Sequence, residues 1–240
     1  MAHRILVTGC ARASTGYHAK LLSLAGIACG HEALFNPESA LSSAPSWPSH
    51  VAAESSWLAA PHLATLPRGT VVLHVVREPR LALASLWRIG LVRTRSAYRE
   101  FAERHCPALA AGTAQERTAR YWLEWNRGIE RECARAGLRM LRVRSGETSL
   151  ALLRELFALA ARPFDTAAAV AALAAVPPDT NTAGDRRRDA AVDWSSLAGT
   201  ELGGQVEALA ERYGLAPACF ADWRASLRLA ALFTPRSPEL

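Results

Sequence analysis

Ile5-Leu-Val-Thr-Gly-Cys-Ala-Arg-Ala-Ser-Thr-Gly-Tyr-His-Ala-Lys-Leu-Leu22 reads as a buried strand, a tight turn of small residues and a helix. Ile5, Leu6 and Val7 form a short β-prone run, and Gly9 permits a sharp exit. Ser14, Thr15 and Gly16 place small or hydroxyl-bearing residues where a helix begins. Such a helix start is an anion site, because its first N–H groups have no carbonyl to meet and the helix dipole adds partial positive charge. Arg12 adds a full one. The loop is not the standard nucleotide loop: Gly16 is followed by Tyr17, and Lys20, the only lysine of the chain, lies a helical turn further on.

A second element points to the same kind of ligand. Val71-Val-Leu-His-Val-Val76 is a near-continuous apolar run of the sort covered on both faces in a parallel sheet. It ends in Arg77-Glu78-Pro79-Arg80, and the chain then turns helical from Leu81 to Trp87. Open α/β sheets bind ligands at the carboxyl edge of their strands. Arg77 stands at that edge and Ser85 follows eight residues later, so a guanidinium fork and a hydroxyl converge where a second phosphate can be held.

Both segments resemble sulfotransferases that use 3′-phosphoadenosine 5′-phosphosulfate (PAPS). Arg12-Ala13-Ser14-Thr15-Gly16-Tyr17 is similar to the family's 5′-phosphosulfate loop, in which a basic residue precedes Ser-Gly-Thr-Thr or Ser-Gly-Thr-Gly-Tyr; Ser14 stands where the family usually has glycine. Val76-Arg-Glu-Pro-Arg-Leu-Ala-Leu-Ala-Ser85 is similar to its 3′-phosphate element. The resemblance implies that Arg12, Ala13, Ser14, Thr15, Gly16 and Tyr17 bind the phosphosulfate, and that Arg77 and Ser85 bind the 3′-phosphate. A later polar stretch, Asn181 to Trp194, is similar to the family's closing loop. Arg187 and Arg188 take the place of its basic residues, and Asp189 replaces its glycine.

Sulfuryl transfer also needs a base beside the acceptor. Gly30-His31-Glu32-Ala33-Leu34-Phe35 follows the first strand–helix unit and a short strand, which brings His31 and Glu32 to the carboxyl edge. In trehalose and heparan types of sulfotransferase a glutamate near this point is the base, and Glu32 matches it in order and setting. His31 is the rival, with an ordinary pKa nearer neutrality. His62 occupies the general region in which cytosolic sulfotransferases carry a histidine base, without their motif.

Composition sets the frame. A chain of 240 residues suits one α/β domain, expected over residues 1–215, followed by a C-terminal helix and tail over 216–240. No apolar run is long enough to span a membrane and the N-terminus lacks the order of a signal peptide, so a cytoplasmic protein is expected. Cys10, Cys29, Cys106, Cys133 and Cys219 are scattered and odd in number, which suggests neither a disulfide framework nor a zinc site. The net charge of +6 comes from dispersed arginines without a nucleic-acid motif, and a small polyanion accounts for it.

Along the chain, periodicity predicts a helix from Thr15 to Ala25, a strand over Ile27 to Gly30, a loop from Asn36 to Pro48, and an apolar stretch from Ser55 to Leu63 that suits helix or strand. Val92 to Gly112 is read as helix and loop. A long amphipathic helix runs from Gln115 to Ala136, with Ala119, Trp122, Trp125, Ile129 and Cys133 on its apolar face and Gly137 as its stop. A strand over Leu138 to Val143, helices over Leu150 to Ala161 and Thr166 to Val176, and a terminal helix over Cys219 to Leu232 complete the reading. That last helix either docks on the domain or joins a second copy in a homodimer. Loops at 33–57 and 88–115 shape the acceptor pocket, with Trp47, Trp57 and Trp87 as candidates for stacking on a ring.

The fold expected is thus a single α/β domain, a parallel sheet of four or five strands with helices on both faces, similar to P-loop nucleoside-triphosphate hydrolases and nucleotide kinases. The activity implied by the resemblance is transfer of a sulfuryl group from PAPS to a hydroxyl or amine of a small-molecule or carbohydrate acceptor. No metal, nucleic-acid partner or membrane is expected. A diverged nucleotide kinase and a catalytically silent nucleotide-binding protein of the same fold are the alternatives.

Overall fold

The computed structural model describes residues 2–42, 45–177, 192–216 and 219–220. Arg187, Arg188 and Asp189 of the expected closing loop, and most of the helix expected over Cys219 to Leu232, lie outside the described residues. Five strands pair in parallel: β1 (Ile5–Gly9), β2 (Cys29–His31), β3 (Ala53–Ser55), β4 (Val71–Val76) and β5 (Arg139–Arg144). Their order is β2-β3-β1-β4-β5, so β1 lies in the middle, with Ile5 opposite Ala53 on one side and Val71 on the other. All residues of β1 and β4 are buried, as the apolar runs require of strands covered on both faces.

The described helices are α1 (Thr15–Leu24), α2 (Pro37–Ser42), α3 (Pro79–Ile89), α4 (Ala97–His105), α5 (Ala114–Arg135), α6 (Leu150–Leu159), α7 (Thr166–Ala175) and α8 (Glu201–Arg212), with a 3₁₀ segment over Trp57–Thr65. Helices α1 and α6 pack on the sheet and α7 packs on both of them; α5 and the 3₁₀ segment also pack on the sheet and on each other, and α3 and α8 pack on α5. None of the described helices is long and apolar enough to cross a membrane.

Helix α5 forms where its pattern places it. Thr113 and Glu116 close a capping box, the Glu116 N–H donating to Thr113 Oγ1 at 3.2 Å and the Thr113 N–H to Glu116 Oε2 at 2.7 Å. Ala119, Trp122, Trp125, Ile129 and Cys133 are buried, and Gly137, at φ 62°, ends the helix.

Elsewhere tertiary contacts redraw the local reading. The stretch expected as a loop from Asn36 carries α2, because Asn36 Oδ1 accepts the Ser39 N–H at 2.9 Å and starts a helical turn. The ambiguous run near Ser55 divides: Ala53–Ser55 pairs with β1, and Ser56 Oγ then accepts the Leu58 N–H to start the 3₁₀ segment. The strand expected over Ile27 to Gly30 sits at Cys29–His31, set by pairing with β3. Helix α8 has no counterpart in the sequence reading, since Gly203 and Gly204 lower its propensity. Gly203 is nonetheless required there, because a Cβ would lie 2.1 Å from the Leu197 carbonyl oxygen.

Two buried histidines tie the layers together. His74 of β4 donates Nε2–H to Asn126 Oδ1 at 3.0 Å, with the Asn126 amide oriented by its own bond to the Trp122 carbonyl. His18 of α1 donates Nδ1–H to the Ser14 carbonyl at 3.0 Å, which leaves Nε2 to accept from Thr148 Oγ1 at 3.0 Å. Burial holds both imidazoles down at about 4, against 6.5 in the unfolded chain. Because the unfolded chain takes up these protons first, stability is full above pH 6.5 and falls as the pH drops toward 4. Urea denaturation should show a loss of about 1 to 2 kcal/mol per histidine between pH ~7 and ~5; a midpoint independent of pH over that range would contradict the neutral assignments.

Candidate functional site

The chain leaves β1 at Gly9 under tight constraint. A Cβ on Gly9 would lie 2.2 Å from the Val75 carbonyl oxygen and 3.0 Å from Ala13 Cβ, so the turn folds directly against β4. Within it the Ala13 N–H donates to the Cys10 carbonyl at 3.1 Å and the Ala11 N–H to the Tyr121 hydroxyl at 3.0 Å. Arg12 and Ser14 both adopt left-handed backbone, at φ 70° and 73°. Ser14 is the N-cap residue of α1 yet its side chain makes no capping bond. Its hydroxyl pairs instead with Ser145 Oγ at 2.7 Å, leaving the N–H groups of the first turn uncovered by a side-chain oxygen.

That turn opens into a cleft of about 340 Å³. It is lined by Ala11, Arg12, Ser14, Thr15, Gly16 and Arg77, by His31 and Glu32, and by Trp57, Ile89, Leu91, Ser96 and Tyr98. The cleft sits beside β1, where successive strands change direction across the sheet, the crevice in which open α/β sheets take ligands.

The two candidate phosphate elements meet there. Arg77 donates from a terminal guanidinium nitrogen to the Arg12 carbonyl at 2.9 Å, and its own carbonyl is held by Trp122 Nε1–H at 3.2 Å. Arg12 Nε–H donates to Ser85 Oγ at 3.0 Å. Burial pushes the Arg77 guanidinium below its usual value, and the nearby cations Arg12 and Arg88 push it the same way. An anion in the cleft relieves that repulsion. Cys10, behind the arginines, has its thiol pushed up to about 12 by burial and so stays protonated.

Glu32 also has left-handed backbone, at φ 53°, with its N–H donating to the Ser55 carbonyl at 3.0 Å. Burial raises its carboxyl above the ordinary range, and His31 works in the opposite direction. His31 Nε2 lies 3.3 Å from Thr15 Oγ1, and Ser55 Oγ–H donates to the Thr15 carbonyl at 2.8 Å, so the β2 turn is tied to the start of α1. Beneath the turn sits Glu54, fully buried, whose Oε1 accepts the N–H groups of Ala33 and Leu34 at 2.8 and 3.2 Å. Its Oε2 has no hydrogen-bond partner and lies 2.2 Å from where a Cβ would stand on Gly30. Burial raises the Glu54 carboxyl, although the backbone amides of Leu34, Ala33 and Phe35 oppose the shift.

Of the residues singled out in the sequence, Arg12, Ser14, Thr15, Gly16, His31, Glu32, Arg77 and Trp57 line the cleft. Ala13, Tyr17 and Ser85 are buried beside it. Two stacking candidates lie elsewhere: Trp47 is buried against Phe35 with Nε1–H on the Val51 carbonyl, and Trp87 packs on Trp194. His62 is stacked between Phe35 and Phe101 and does not line the cleft. The sequence reading passed over Glu54, whose one signal was an acid in an apolar stretch, and over Ser145 and Thr148, which only the pairing of β5 with β4 brings to the anion turn. Among the described residues no group of three or more His, Cys, Asp or Glu is disposed to hold a metal ion. Comparison with protein-family models, with curated proteins and with solved structures gives no match.

Glu54→Ala leaves two turn amides without their carboxylate and should cost about 1.5 to 3 kcal/mol in chemical denaturation, whereas Glu54→Gln, which keeps an acceptor oxygen, should cost less. Equal losses in the two variants would show that the bonds to Ala33 and Leu34 contribute little.

Proposed function

We propose that this chain is a PAPS-dependent sulfotransferase with a P-loop-like anion turn. The observation that carries the reading is the convergence of Arg12, Arg77 and the uncapped first turn of α1 on one cleft, which Glu32 and His31 also line. The central position of β1 agrees with a nucleotide-kinase-like arrangement of the sheet.

In this reading the first-turn amides of α1 and the Arg12 cation hold the phosphosulfate, and Arg77 meets the 3′-phosphate. Ser85 is buried on Arg12 Nε and acts as a positioning residue for that cation. The acceptor oxygen forms a bond to sulfur as the bond from sulfur to the phosphate oxygen breaks, its electron pair staying with the phosphate. The acceptor proton passes to Glu32 or to His31. Arg12 and the amides stabilise the charge that builds on the leaving phosphate. The raised Glu32 carboxyl suits a base, since a carboxylate of higher pKa is the better proton acceptor.

Titration calorimetry with adenosine 3′,5′-bisphosphate and with ATP tests the donor: the bisphosphate should bind more tightly, and preference for ATP would favour a nucleotide kinase. Arg77→Ala should weaken bisphosphate binding by about 1.5 to 3 kcal/mol. Ser85→Ala should cost about 1 kcal/mol, and should add nothing in an Arg12→Ala background if it acts through Arg12.

Glu32→Gln separates chemistry from binding. Turnover should fall by about 10² to 10⁴ with bisphosphate affinity nearly unchanged, and the limb of the rate profile that rises with pH through the elevated Glu32 pKa should disappear. Normal turnover in Glu32→Gln together with its loss in His31→Ala would move the base to His31.

A further inference from the structure

The lining of the cleft is part cationic and part apolar, and the apolar part bears on the acceptor. Trp57, Ile89, Leu91 and Tyr98 line it together with the arginines. Ile89 and Tyr98 are 44% and 40% exposed, among the few large apolar side chains the described residues leave open, and both line the cleft. Exposed apolar surface gathered in a concave site marks a place where a ligand is bound.

The chemistry of this lining discriminates between acceptors. Trp57 is only 6% exposed, its ring enclosed by Phe101, Tyr121 and Trp125, so it forms a wall and offers no open face for a sugar to stack upon. Among Trp57, Ile89, Leu91, Ser96 and Tyr98 only the hydroxyls of Ser96, which caps α4, and Tyr98 could meet a sugar's several hydroxyls. Burying those hydroxyls without partners is costly. Tyr98, beside Trp57 at 6.0 Å between centroids, presents a flat amphipathic surface instead.

Tyr121 links the apolar lining to the anion turn, its ring packed on Trp57 and its hydroxyl holding the Ala11 N–H. A ring held by the apolar lining therefore shares one cleft with Glu32 and the cations. An aromatic hydroxyl gives up its proton near pH ~10, several units below an alkyl alcohol, and so matches a carboxylate base better.

Resting on the sulfotransferase reading above, we infer that the acceptor is a hydroxyl carried on a flat, uncharged aromatic ring rather than on a sugar. Its oxygen takes the sulfuryl group, its proton goes to the base, and the products are an aryl sulfate and adenosine 3′,5′-bisphosphate.

The test uses the full chain, first titrated with the bisphosphate and then supplied with PAPS and either 2-naphthol or methyl glucoside. The expected result is saturable binding of 2-naphthol to the bisphosphate-loaded chain, its sulfation, and a kcat/KM for the glucoside at least ~100-fold lower. Ile89→Asn and Tyr98→Ser, at exposed positions that tolerate change, should each raise the 2-naphthol Kd by about 10-fold or more while the bisphosphate Kd stays the same. Bisphosphate binding with no 2-naphthol binding, with the glucoside preferred, or with both variants unaffected overturns the acceptor assignment and leaves the donor reading standing. Failure to bind the bisphosphate overturns the donor reading, and the acceptor assignment with it.

Discussion

The close approach of β1 to β4 at Gly9 is the constraint from which the cleft follows. With no room for a Cβ beside the Val75 carbonyl, the backbone must turn at once, and the five residues before α1 are compressed into a loop that only left-handed backbone at Arg12 and Ser14 can complete. That compression sets the first turn of α1 at the edge of the central strand. The same edge receives the ends of β2, β3 and β4, so residues at or just beyond each strand end share one crevice: His31 and Glu32, Trp57, and Arg77.

The arrangement is costly. Left-handed backbone at residues other than glycine costs about 1–2 kcal/mol each, and it recurs at Arg12, Ser14 and Glu32, three residues that line the cleft. Ser14 shows why: glycine would suit its φ better, but its hydroxyl binds Ser145 and so joins the anion turn to the loop after β5. Arg77 adds a half-buried cation close to two others. The surrounding core offsets these terms, since β1, β4 and the inner face of α5 are buried throughout and Glu54 braces the Glu32 turn from below. Backbone strain gathered beside clustered arginines in one cleft is what a preorganised anion site would require.

Local sequence carried the parts of the fold that depend on periodicity and on short turns. The near-continuous apolar runs of β1 and β4, the three- and four-residue repeat of α5 and the Ser14-Thr15-Gly16 turn are legible because each depends on neighbours within a few residues. α8 was not legible, because its glycines make sense only against the Leu197 carbonyl. Nor were the exact places of β2 and β3, three residues each and defined by pairing.

For the site, the sequence by itself determined which groups lie near a strand end: His31 ends a strand and Arg12, Glu32 and Arg77 follow one, and in a parallel sheet the strand ends face one edge. Only the tertiary structure decided which of them meet and what stands behind them. Ser85 turned out to bind Arg12, Glu54 to brace the Glu32 turn, and Trp47 and Trp87 to be packed away from the cleft that Tyr98 and Ile89 enter. The reason is physical: a strand and its turn are local in the chain, whereas burial, shared hydrogen bonds and the repulsion among cations arise between residues tens of positions apart and exist only once the sheet has ordered its strands.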